Sequence, residues 1–174
     1  MNARYTRNLI ILIGLAFFIV VAFAICWQPK ADTQEMIDYL ENMAPVAKAH
    51  IQWIDDYKEL TDSYSSLSYS AKINELNKLL NRMEEIQISV EESAPPDILS
   101  GVKTKWNNEC RLTLQAVYQI ILALDKNMPQ WIPEAYEILL EADELRQKWT
   151  EELSGLLGKH DIELTDPVYN SYYG

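Results

Sequence analysis

The chain has 174 residues, 26 acids against 15 Lys and Arg, and a formal net charge of −11. So acidic a chain offers no basic face for phosphate, which excludes nucleic acid as an expected partner. The two cysteines, Cys26 and Cys110, lie far apart and make no disulfide framework and no metal site, and no Cys-x-x-Cys-His is present for covalent haem.

Residues 1–8 form a short start with Arg4 and Arg7 and no acid. Leu9 to Trp27 follows, LIILIGLAFFIVVAFAICW, nineteen residues without a charge. At 1.5 Å of rise per residue this run nearly spans a hydrocarbon core of about 30 Å, and it is expected to be a transmembrane helix or signal anchor. Positive residues stay inside, so the N-terminus is expected in the cytoplasm and the remainder outside, on a single-pass protein of the cell membrane. Ala22-Phe23-Ala24 supplies an alternative, a secreted form cleaved after Ala24. A lipoprotein using Cys26 is a third reading, but Ile25 is large for that processing site. The exported part holds all 26 acids and 13 of the 15 Lys and Arg, a net charge of −13.

Residues 28–158 carry four helical patterns. Gln28 to Ala31 reads as a break, because Pro29 disfavours helix before it. Helix A, about Thr33 to Thr61, has Met36, Leu40, Met43, Ala47, His50, Ile54 and Tyr57 at steps of four and three. Pro45 should kink it. The serine-rich stretch Asp62 to Tyr69 connects to helix B, about Ser70 to Glu92, with Ile73, Leu76, Leu80, Met83, Ile86 and Val90 inward. Pro95 stops helix B and Pro96 opens helix C, which runs to about Lys126. Its seam is Leu99, Val102, Trp106, Cys110, Thr113, Val117, Ile120 and Leu124, with Arg111, Gln115 and Gln119 as the polar stripe. A turn at Asn127 to Gln130 leads to helix D, about Trp131 to Leu157, with Ala135, Ile138, Ala142, Leu145, Trp149, Leu153 and Leu156 inward and Gly158 as its C-terminal cap. Residues 159–174 form a tyrosine-containing tail without helical period, expected beside the lipid headgroups.

The predicted fold is therefore all-α: an N-terminal transmembrane helix followed by an extracytoplasmic antiparallel four-helix bundle, up-down-up-down. Two long hairpins that pair in a dimer are the alternative.

Chemistry-bearing patterns are few. Glu-x-x-His on two helices, needed for a di-iron bundle, fails at Ala47 before His50 and Leu157 before His160. No nucleophile elbow, phosphate loop or zinc-protease motif is present, so the reading is a non-enzyme with no cofactor and no metal. Trp53, Trp106 and Trp149, with His50, lie at or beside the seams of three helices. Core packing explains them; a ligand pocket between helices is the sharper reading. Glu134, Glu137, Glu141 and Glu144, spaced three, four and three, make one acidic stripe, either a solvated face or a face for a cationic partner. The expected function is a structural or protein-interaction accessory module of the cell envelope. The alternative is a small-ligand-binding or sensory bundle with an aromatic pocket.

Overall fold

In the computed structural model the chain is all-helical, and residues 32–173 are described in full, with residues 3–31 entering only as the first part of one helix. The run Leu9 to Trp27 and the break at Gln28 to Ala31 lie outside those fully described residues. Among the described residues no helix is long and apolar enough to cross a membrane.

Among the described residues five α-helices follow in order: α1 (Ala3–Ser63), α2 (Tyr69–Glu92), α3 (Ser100–Asp125), α4 (Ile132–Lys159) and α5 (Asp166–Tyr173). From α1 to α4, neighbours in sequence are antiparallel neighbours in space. Tyr39 meets Ser93 while Trp53 meets Leu79, so α2 descends beside α1. Gln87 meets Asn107 and Lys103 reaches the carbonyl of Glu91. Lys105 pairs with Glu152, and Gln119 reaches the carbonyl of Trp131 at the far end of the same α3–α4 pair.

Local chemistry sets the ends. Ser68 caps α2, its Oγ accepting from the Ala71 N–H at 3.3 Å. After Pro95 and Pro96 the chain makes a 3-10 turn, Asp97–Leu99, before α3 begins at Ser100. α3 closes on Asn127 at φ 54°, where Asn127 and Met128 N–H groups bond back to Leu124 and Ala123. α4 closes the same way on Asp161 at φ 53°, with Ile162 bonding back to Leu157. Gly158, expected as the cap, stays inside α4. The short polar side chains of Asn and Asp tolerate the left-handed conformation, so glycine was not required. Pro45 does not end α1, which runs on through it.

The core follows the predicted seams with shifts of one position. Leu79 is buried in place of Leu80, and Leu157 in place of Leu156. Glu109 joins the core of α3 beside Cys110. The tail departs most from expectation. It folds as α5 and packs on α1, with Tyr172 only 2% exposed and its hydroxyl donating to the Leu40 carbonyl at 2.8 Å. Tyr172 is therefore a core residue, while Tyr169 stays exposed. Burying a ring with its hydroxyl satisfied outweighs leaving it at a wet interface.

Candidate functional site

His50 from α1, Trp106, Glu109 and Cys110 from α3, and Trp149 from α4 meet at one level of the bundle. All five are buried. Trp106 and Trp149 stack with ring centroids 5.2 Å apart, and His50 lies 6.1 and 6.5 Å from them with its ring tilted by 27° to each. Tyr172 closes the layer edge-on to Trp106 at 6.3 Å.

The polar atoms of this layer form a chain. Trp106 Nε1 donates to His50 Nδ1 at 3.2 Å. An indole N–H can only donate, so Nδ1 must accept and the imidazole proton sits on Nε2. That nitrogen lies 2.9 Å from Glu109 Oε1, near enough for attraction but not aligned as a hydrogen bond. Trp149 Nε1 donates to Glu109 Oε2 at 3.3 Å. Two N–H groups from two other helices thus converge on one carboxylate. Leaving the buried Trp106 or Trp149 N–H unmatched would cost about 1–3 kcal/mol, so these two bonds favour one register of α1, α3 and α4.

His50, Glu109 and Cys110 also bring three ligand-type atoms within 4.8 Å of one another. The donor set fits a metal poorly. Ligation through Nε2 would move the imidazole proton to Nδ1, opposite the Trp106 N–H, which has no lone pair to receive it. Cys110 is a free thiol whose pKa is pushed well up, first by burial and then by the neighbouring Glu109 charge. It is a packed, unreactive group.

Of the residues singled out from sequence, His50, Trp106 and Trp149 come together, and their rings fill the space between them. Trp53 does not join them. It stacks on Tyr57 at 5.3 Å and donates to the Leu79 carbonyl at 2.7 Å. Glu134, Glu137, Glu141 and Glu144 are all exposed on α4, and Glu144 faces Lys148 at 3.5 Å. Glu109 went unnoticed in the sequence. Its signal was its position three residues after Trp106 and four before Thr113, on the apolar side of the helix.

Comparisons of the chain with protein-family models, curated proteins and solved structures gave no match.

Proposed function

We propose that the protein is an exported helical bundle, held at the membrane by Leu9 to Trp27, that acts as a protein-interaction module of the cell envelope. The observation that carries this reading is the filled interior. Trp106, Trp149 and His50 are each at most 2% exposed and rest on one another, so recognition falls to the surface. That surface carries large apolar side chains on α4, Tyr136 at 48% and Leu140 at 60% exposure, beside the acidic stripe. The uncharged run and Arg4 and Arg7 before it support the address.

A reporter fused to the C-terminus should be active only outside the cytoplasm and stay with the membrane fraction. A soluble product beginning at Ile25 would replace the anchor with a cleaved leader. Photo-crosslinking residues placed one at a time at Ala49, Ser63, Tyr136 and Leu140 of the full chain in cells should give discrete protein adducts from at least one position. No adduct from any of the four would defeat the interaction reading.

A further inference from the structure

The outer seam between α1 and α2 holds two neighbouring hollows. One, of about 450 Å³, has an apolar floor of Leu60, Leu67 and Leu79. The other, of about 250 Å³, is floored by Val46 and Ile86. Arg82 lines both, and it reaches across the seam to pair with Asp56. The hollows are therefore two halves of one groove crossed by a single side chain. Its length follows from α1: Pro45 to Ser63 is eighteen steps of helix, about 27 Å at 1.5 Å per residue. Small residues on the rim, Ala49, Ser63 and Ser89, keep it open.

The charges of the rim are unbalanced. Arg82 is held by Asp56 and Lys78 by Glu75, which uses both cations. Glu59 and Glu85 are exposed, one beside each hollow, and make no ion pair among the described residues. Two apolar hollows set along five helical turns, under a rim with two unmatched carboxylates, match one kind of occupant. We propose that this groove docks a basic amphipathic helix of a partner protein, about eighteen residues long. Its apolar face would lie on the two hollows, with Lys or Arg opposite Glu59 and Glu85. A second copy of this chain is a poor occupant, because its exported part carries a net charge of −13 and would meet the acidic rim with like charge. The proposal rests on the interaction reading above and names the surface and partner class within it.

The test uses the full chain in cells, with the photo-crosslinking residue at Ala49 or Ser63 and the captured peptide mapped by mass spectrometry. The mapped segment should be net basic, with apolar residues at helical spacing. The double reversal Glu59→Lys with Glu85→Lys should lower adduct yield roughly three- to tenfold, as expected for two exposed charge pairs. The control Glu151→Lys with Glu163→Lys, at exposed acids outside both the groove and the acidic stripe of α4, should not, and an unchanged melting temperature of the double reversal separates lost docking from lost folding. Adducts that map to a second copy of this chain or to lipid overturn the groove proposal, as does a yield indifferent to charge reversal at Glu59 and Glu85. Adducts found only from Tyr136 or Leu140 also overturn it while leaving the interaction reading in place.

Discussion

Tyr172→Ala isolates what the last helix contributes. The ring is 2% exposed, lies edge-on to Trp106 at 6.3 Å and hydrogen-bonds the Leu40 carbonyl at 2.8 Å. Removing a buried aromatic ring costs about 3–5 kcal/mol in lost transfer energy and cavity. Tyr172→Phe removes only the hydroxyl. Leu40 O can also accept from the N–H one helical turn later, so this loss should be about 0.5–1.5 kcal/mol. In a chain of this length 1 kcal/mol moves the melting temperature by about 2–4 °C, so the alanine variant should melt roughly 6–20 °C lower. The assay is thermal and urea unfolding of the full chain in mild detergent, followed by tryptophan fluorescence, since Trp106 touches the altered ring. An alanine variant within about 1 kcal/mol of the parent would refute the docking of α5 and return the tail to a frayed or lipid-facing terminus.

Three further outcomes follow from the buried groups. Glu109→Gln leaves one acceptor oxygen where two N–H donors converge, and should lower stability by about 1–3 kcal/mol, read as a fall in the urea midpoint at constant slope; a neutral result would mean that Trp149 and His50 do not share that carboxylate. Cys110 should resist alkylation at pH 8 in the folded protein and react on unfolding, because burial holds its thiol protonated; rapid labelling under native conditions would contradict its burial. Burial raises the folded-state pKa of Tyr57 and Tyr172, and takes that of Tyr173 to about 12. Their contribution is whole below the unfolded value near 10 and lost as pH rises above it, when the unfolded chain ionises first. Alkaline titration should therefore destabilise the fold from about pH 10 upward, less steeply in Tyr172→Phe, and equal steepness would place that hydroxyl in solvent.

The sequence by itself determined the helices and their inward faces. A repeat of four and three requires each helix to bury one stripe, and Met36, Leu40, Met43, Ala47 and His50 do so on α1 as Val102, Trp106, Cys110 and Thr113 do on α3. Short connections then made neighbouring helices antiparallel, and opposite counting along α3 and α4 placed Trp106 and Trp149 in one layer, where they stack. Tertiary structure decided the remainder. Glu109 reads as an ordinary helix-surface acid until Trp149 and His50 arrive from two other helices to share its carboxylate. Periodicity describes one helix against an average apolar environment and cannot say which polar atoms will meet. The same limit hid α5. Eight residues ending Tyr-Asn-Ser-Tyr-Tyr are too few to hold a helix in water. They form one because α1 offers the Leu40 carbonyl and α3 the ring of Trp106, a complement built by residues more than sixty positions away.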